Sequence, residues 1–180
     1  MRTYQKFRQQ ELWGFSDNQA EYRKFVSIFR VTLVRDRHMQ FEQKGLLNSQ
    51  DAQEVLRRLI ETQGQMDREQ FCVILLDSKN KIIGLNIVST GDLSSATVHP
   101  REVLKPAILA NASSMILCHN HPSGDLTPSS EDIAVTKRIV KAAKIMGITI
   151  HEHLIISMYD NSYYSFADNG LIQQAYQEAG

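Results

Sequence analysis

The chain has 180 residues, of which 42% are hydrophobic and 22% are charged. This composition is typical of one globular domain with a full hydrophobic core. Lysine plus arginine equals aspartate plus glutamate at 20 each, so no net charge draws the whole molecule to nucleic acid or anionic lipid. A local basic patch remains compatible with this balance.

Neither a membrane span nor a secretory signal is expected. No run approaches the roughly 20 apolar residues that cross a bilayer, and the opening MRTYQKFRQQELW lacks an apolar stretch. Cys72 and Cys118 lie beside apolar residues and form no CxxC pair, which favours buried, reduced thiols. We therefore expect a cytoplasmic protein that does not bind membranes.

The first 65 residues are predicted to extend the core domain. Residues 1–24 are polar with scattered aromatics and indicate an arm or helix, and the alternating FVSIFRVTLV at 25–34 predicts a strand. Asn48 then offers an N-cap to a helix. The apolar face of that helix is formed by Ala52, Val55, Leu56, Leu59 and Ile60.

Residues 66–180 are predicted to form the main domain. FCVILL at 71–76 and IIGLNIV at 82–88 flank a polar turn and predict a β-hairpin. A helix is expected around 101–112, and Pro106 suggests that its regular part begins only near Lys105.

The rest of the chain continues the interleaving of strands and helices. SSMILC at 113–118 predicts a buried strand, and a long helix is expected from about Ser129 to Met146, ending at Gly147. ITIHEHLIIS predicts a further strand, followed by a short strand near Tyr163 and a C-terminal helix. The fold class is therefore α/β, with α+β-like character: a mixed β-sheet flanked by helices.

The most informative stretch is His119-Asn120-His121, followed by seven residues and Ser129-Ser130-Glu131-Asp132. In an extended backbone the two histidines share a face, and Asp132 would lie in the first turn of the next helix. Two histidines and one aspartate give three ligands and leave one position for water, as in catalytic zinc sites. We predict one zinc ion per chain.

Each part of this pattern has another interpretation. An isolated HxH pair is commonly structural, and Ser129 with Asp132 is also a good helix cap. Asp125 lies in the connecting loop and is an alternative ligand. His151 and His153 form a second HxH with no SxxD after it, which favours a structural or supporting role.

The HxH, seven residues, SxxD spacing resembles the signature of the JAMM (MPN-plus) metalloproteases. The stretch HPREVLKPAILANASSMILCHNHPSGDLTPSSEDI, with the later YSFADNG, closely resembles the bacterial RadC-type branch of that superfamily over about residues 66–171. The resemblance implies the cytidine-deaminase-like JAMM/MPN architecture, with zinc on His119, His121 and Asp132. It also implies that Ser129 holds the polarised carbonyl or its oxyanion.

The superfamily also uses a glutamate upstream of the histidines, at the start of a buried strand. Glu69, just before FCVILLD, matches that context and is the predicted general acid and base. Glu102 is the competing acid, although its place suggests the turn that starts a helix. His99 lies in the stretch shared with the family, and nothing in the sequence assigns it a role.

Three functions follow as hypotheses. The first is a zinc metallopeptidase or isopeptidase acting on a peptide or protein substrate. The second is DNA repair or DNA association, which RadC-type proteins carry as a label. The third is a catalytically silent binding module.

Two features weaken the second hypothesis. The first 65 residues are predicted to form an arm, a strand and a helix, whereas longer relatives carry an N-terminal helix-hairpin-helix region. The basic face of the long helix has no interleaved aromatics and is best explained as a solvated surface; it consists of Lys137, Arg138, Lys141 and Lys144.

Overall fold

A computed structural model describes residue 28 and residues 30–39, 48–91 and 98–180. The chain divides into two units, Met1–Val31 and Thr32–Gly180, and the elements below belong to the second. The arm predicted over 1–24 lies outside the described residues. The strand predicted over 25–34 is wrong where it can be examined, since residues 28 and 30–34 are exposed and form no strand. Residues 32–34, which belong to the same unit as the sheet, do not pair with it, and a strand requires such pairing.

Helix α1 spans Ser49–Gln63, as predicted. The Asn48 side chain caps it by accepting a hydrogen bond from the Asp51 N–H at 2.9 Å. Such a cap satisfies one of the amide groups that a helix start leaves unpaired. The predicted apolar face of α1 is buried.

Strands β1 (Gln70–Leu76) and β2 (Ile82–Thr90) form the predicted antiparallel hairpin. The Asp77 side chain accepts hydrogen bonds from the N–H groups of Lys79 and Lys81 in the turn. These bonds lower the pKa of Asp77. The polar turn thus closes the hairpin through its own side chain.

Helix α2 spans Pro100–Leu109, so the prediction of a start near Lys105 is wrong. His99 caps the helix by accepting from the Arg101 N–H at 3.1 Å, and Pro100 occupies the first turn, where its missing N–H costs nothing. Pro106 lies inside the helix. The stabilisation of the helix start by the His99 cap and Pro100 outweighs the loss of the one backbone hydrogen bond that Pro106 cannot donate.

Strand β3 (Ser114–His121), helix α3 (Ser130–Ile145) and strand β4 (Thr149–Ser157) form a β-α-β unit with parallel strands. Helix α3 ends at Ile145, and Gly147 follows its C-cap Met146 with a φ of 69°, the left-handed conformation that glycine tolerates. Strand β5 (Tyr163–Ser165) and helix α4 (Leu171–Glu178) follow. These elements confirm the predicted order.

The described strands form one mixed sheet in the order β2-β1-β3-β4-β5. All pairs are antiparallel except β3 with β4, which confirms the predicted fold class. Among the described helices, α1 covers one face, called here the one-helix face. Helices α2, α3 and α4 cover the other, the three-helix face.

Both cysteines lie in the core, as predicted. Cys72 and Cys118 are directly opposite in β1 and β3, buried and free. Burial raises the pKa of Cys72 to about 12 and raises that of Cys118 well above its ordinary value. No helix in the described part of the chain is long and apolar enough to span a membrane.

Candidate metal centre

His119 and His121 lie at the carboxyl end of β3, where the chain leaves the sheet towards α3. Side chains two residues apart in a strand share a face, and here that is the three-helix face, since Leu117 and Met115 of the same strand pack there. The His119 side chain is 1% exposed and that of His121 is 14% exposed. The strand thus presents one deeply buried and one accessible imidazole.

Asp132 comes from the first turn of α3. Ser129 is the N-cap, and a capping box joins the two residues, because the Ser129 Oγ accepts from the Asp132 N–H and the Asp132 Oδ2 accepts from the Ser129 N–H. The carboxylate Oδ1 lies 3.1 Å from His119 Nε2, and Oδ2 lies 3.8 Å from His121 Nε2. The cap therefore also fixes the carboxylate beside the histidines.

These three residues form the one group in the described chain whose ligand atoms could hold a metal ion together, all within 4.8 Å of one another. The two histidine Nε2 atoms are 3.0 Å apart. Ligands of a tetrahedral zinc ion lie about 3.3 Å apart, given zinc–nitrogen bonds of about 2.05 Å. The spacing and chemistry of the donors therefore fit zinc.

The protonation of Asp132 suits a ligand. Burial acts to raise the pKa of its carboxyl, but the His119 ring and the hydrogen bonds from Ser129 lower it more, so the net pKa lies below the ordinary value. Asp132 is thus a carboxylate at neutral pH. A carboxylate facing two imidazole nitrogens is a donor set that attracts a divalent cation.

Behind His119 lies His153 of β4, in the supporting role that the sequence favoured. Its Nε2 is 2.8 Å from His119 Nδ1, and its Nδ1 is 2.6 Å from the Thr136 Oγ1 of α3. Burial, and then the neighbouring His119, lower the pKa of His153 well below its ordinary value. His153 is therefore a neutral ring that contacts a candidate ligand without joining the ligand group.

His121 is oriented differently, by main chain. Its Nδ1 contacts the backbone carbonyl of Asp125, so Nδ1 carries the proton and Nε2 presents a lone pair. The Asp125 carboxylate instead accepts from the Thr127 N–H at 2.9 Å. The alternative in which Asp125 replaces Asp132 as ligand therefore finds no support in the geometry.

Glu69 lies one residue before β1 and is half-buried. Phe71 pairs with His119 in the antiparallel register, so continuing the register places Glu69 opposite His121. Opposed residues of an antiparallel pair share a face. Glu69 therefore falls on the three-helix face, beside His121, the more accessible of the two histidines.

Asn120, between the two histidines, is a site residue that sequence reasoning missed. It is fully buried, and its side chain accepts from the Gln70 N–H and donates to the Arg68 carbonyl, both at 2.9 Å. The Glu69 carbonyl accepts from the Gly91 N–H. The backbone around Glu69 is thus held from both neighbouring strands.

The competing acid, Glu102, lies in the first turn of α2, as the sequence suggested. Its carboxylate pairs with Lys105 and Arg101, and these contacts lower its pKa. Its side chain is 41% exposed. An exposed, ion-paired carboxylate is a weaker candidate for general base than one facing the histidines.

Ser129 occupies the predicted position, and the structure shows how its hydroxyl is used. The Oγ donates its single proton to Asp132 Oδ2 at 2.6 Å. In this arrangement Ser129 orients the carboxylate. The predicted oxyanion role stays a prediction, since it requires that proton to leave Asp132.

The remaining polar candidates lie outside the candidate metal group. His99 caps α2, and His151 is exposed. On the basic face of α3, Lys137 pairs with Glu178 at 2.8 Å, and Lys144 donates to the Gly180 carbonyl. This face is a solvated surface with local partners, as expected.

The mixed sheet and the His-His-Asp group at the carboxyl end of β3 define a domain of the JAB/MPN class. Residues 46–171, more than half of the chain, match the family described as RadC-like JAB domain. The chain belongs to this family.

Several bacterial relatives carry the name UPF0758 protein, which states no activity. The one from Caldanaerobacter subterraneus subsp. tengcongensis is 48% identical over 120 residues, 63% of this chain and 52% of that protein. The one from Syntrophomonas wolfei subsp. wolfei is 50% identical over 124 residues, 68% of this chain and 52% of that protein. The chain thus spans about half the length of the curated relatives that it matches.

Proposed function

We propose that this domain is a zinc-dependent hydrolase that cleaves a peptide or isopeptide bond in a peptide or protein substrate. The observation that carries this proposal is the convergence of His119, His121 and Asp132 on one point. Continuing the register beyond the pair of Phe71 and His119 puts Glu69 on the same face of the sheet. Three protein ligands and an adjacent acid are the parts that metal-assisted amide hydrolysis needs.

The ligands of the proposed zinc ion are His119 Nε2, His121 Nε2 and the Asp132 carboxylate. When bound there, zinc supplies Lewis-acid activation of a water molecule and of the scissile carbonyl at neutral pH. His121 lies at the accessible side and His119 at the buried side. A substrate would therefore approach past His121 and Glu69.

Glu69 is proposed as the group that moves the proton. Its carboxylate accepts a proton from the attacking water as the new carbon–oxygen bond forms. It then donates that proton to the leaving nitrogen as the carbon–nitrogen bond breaks, so that a carboxylic acid and an amine result. The backbone contacts from Asn120 and Gly91 hold Glu69 for this task.

Ser129 is proposed to act first through Asp132. Its hydroxyl and its N–H both donate to Oδ2, which leaves Oδ1 directed at His119. If the hydroxyl also contacts the oxyanion of the tetrahedral intermediate, it exchanges one acceptor for another, because it has one proton.

The first test joins metal analysis to an activity screen. Zinc per chain is measured by elemental analysis on untagged protein, and hydrolysis is screened with a fluorogenic peptide library and with peptides joined through a lysine side chain. We expect about one zinc per chain. For an accepted substrate, Glu69→Gln should lower kcat by about 10²- to 10⁴-fold with zinc retained.

Glu102→Gln is the matched control, because it removes the competing carboxylate and should leave hydrolysis unchanged. A wild type that takes up no zinc would contradict the whole proposal. Full activity in Glu69→Gln, or loss of activity in Glu102→Gln, would contradict the assignment of the general base.

A further inference from the structure

A chain of three short hydrogen bonds runs from His119 to α3. His119 Nδ1 lies 2.8 Å from His153 Nε2, and His153 Nδ1 lies 2.6 Å from Thr136 Oγ1. The Thr136 hydroxyl also lies 2.6 Å from the backbone carbonyl of Asp132, one turn earlier in the helix. The chain therefore starts at one candidate metal ligand and ends on the main chain of another.

With both imidazole rings neutral, the protons of His119, His153 and Thr136 can be placed along these hydrogen bonds in two ways. In the first, the Thr136 hydroxyl donates to the Asp132 carbonyl and accepts from His153 Nδ1–H. His153 Nε2 then accepts from His119 Nδ1–H, which leaves a lone pair on His119 Nε2. A metal ion binds such a lone pair.

In the second arrangement every proton points the other way. The Thr136 hydroxyl donates to His153 Nδ1, His153 Nε2–H donates to His119 Nδ1, and the His119 proton sits on Nε2, 3.1 Å from Asp132 Oδ1. That proton occupies the atom that a metal would bind. Only the first arrangement is ready for metal.

The Asp132 carbonyl makes the first arrangement accessible. A carbonyl can only accept, so it gives the Thr136 hydroxyl a place for its proton other than His153. Without the hydroxyl, the His153 Nδ1–H of the metal-ready arrangement would be buried with no acceptor at that position, which is unfavourable. The hydroxyl therefore matters more when metal is bound than when it is absent.

The ring of His153 is held in one orientation by packing. Its centroid lies 4.6 Å from that of Phe166 and 5.4 Å from that of Phe71. His153 and Thr136 are 0% and 1% exposed, so water does not readily replace either partner.

From this geometry we propose that Thr136 and His153 are positioning residues that select the metal-ready tautomer of His119. The proposal rests on the metal site of the proposed function and concerns metal affinity, not the chemical step. Partners of metal-bound histidines elsewhere contribute in this way, and their loss weakens metal binding by about 10- to 100-fold.

The test compares Thr136→Val, which removes the hydroxyl and keeps the shape, with Thr136→Ser, which keeps the hydroxyl. Zinc dissociation constants are measured by competition with a chromophoric chelator, and melting temperatures are measured in the metal-free state. We expect Thr136→Val to bind zinc about 10- to 100-fold more weakly than wild type. Thr136→Ser should stay within about threefold, since it retains the acceptor.

A second measurement uses the wild-type protein alone. Nitrogen-15 NMR of the zinc-loaded protein should place the proton of His153 on Nδ1 and that of His119 on Nδ1. This readout tests the hydrogen-bond arrangement even if Thr136→Val fails to fold, because a proton on His153 Nε2 would contradict the metal-ready arrangement.

Wild-type affinity in Thr136→Val, equal weakening in both variants, or a proton on His153 Nε2 in the zinc-loaded protein would each overturn the proposal. A wild type that binds zinc but hydrolyses no substrate would count against the proposed function and leave this inference standing. A wild type that takes up no zinc would overturn both.

Discussion

Two HxH pairs lie on neighbouring parallel strands and have different roles. His119 and His121 end β3 and face the same side, where Asp132 completes a candidate ligand group. In β4, the register against β3 shifts at His151, since Ile150 pairs with Met115 and Glu152 pairs with Ile116. His151 is exposed, whereas His153 is buried behind His119. The motif alone does not define the site; strand position and the following helix do.

The middle residues of the two pairs extend this contrast. Asn120 joins β3 to the start of β1. Glu152 accepts hydrogen bonds from Ser49 of α1 and Ser165 of β5, and from the N–H groups of Ala167 and His153. One middle residue supports the candidate site, and the other ties the sheet to the elements around it.

The largest expected effect comes from Glu152→Ala. It leaves four hydrogen-bond donors without their acceptor in a buried region, and each such group costs about 1–3 kcal/mol. We expect the free energy of unfolding in urea to fall by about 4 kcal/mol. Glu152→Gln keeps one acceptor oxygen, so its free energy of unfolding should fall by less. Equal stability of Glu152→Ala and wild type would show that these bonds contribute nothing net.

His119 and His151, the first histidine of each pair, should respond differently to alanine. Zinc sites with four ligands bind with about 10–16 kcal/mol, or about 3 kcal/mol per ligand. His119→Ala should therefore weaken zinc binding about 100-fold or more, whereas His151→Ala should leave the dissociation constant unchanged. Chelator competition measures both. If His151→Ala loses as much zinc as His119→Ala, the distinction between the two pairs fails.

A smaller effect is expected for Asn120→Ala. The variant loses two buried hydrogen bonds to backbone groups, which corresponds to about 2 kcal/mol of unfolding free energy. Zinc should still bind, because Asn120 faces away from the ligands. Unfolding and zinc titrations on the same preparation check both statements. A loss of zinc without a loss of stability would contradict them.

The smallest effect is expected for Asp125→Ala. His121 is oriented by the Asp125 carbonyl, which the substitution keeps, so zinc affinity should change by less than about threefold, below the usual effect of removing a supporting group. Asp132→Ala provides the comparison, with a loss similar to that of His119→Ala. An equal loss of zinc affinity in Asp125→Ala and Asp132→Ala would indicate that Asp125 is also a ligand.

Most of the fold was predictable because its signals are local. The cap at Asn48, the hairpin around Asp77 and the stop at Gly147 depend on a few consecutive residues. The start of α2 depends on the cap at His99, which the proline at position 106 does not override. Alternation in the described part of residues 25–34 does not suffice for a strand, because strand formation depends on a partner.

The residues of the candidate site also differ in whether a local sequence pattern predicts them. His119, His121 and Asp132 are close in sequence, and their spacing predicts that they meet. Asn120 and Thr136 gave no such signal, because their roles depend on strand register and helix packing. A buried polar residue between two candidate ligands is the one pattern that could have drawn attention to Asn120.

The contacts of Asn120 have a consequence for how the sheet assembles. Sliding β1 by one residue against β3 would turn Glu69 to the one-helix face and bring Arg68 or Gln70 opposite His121, since side chains alternate along a strand. Asn120 bonds to the main chain on both sides of Glu69, and a slipped alignment would break both bonds. The Asn120 side chain therefore favours the native register of β1 against β3. Because that register also puts Glu69 beside the histidines, correct strand pairing positions the acid at the same time.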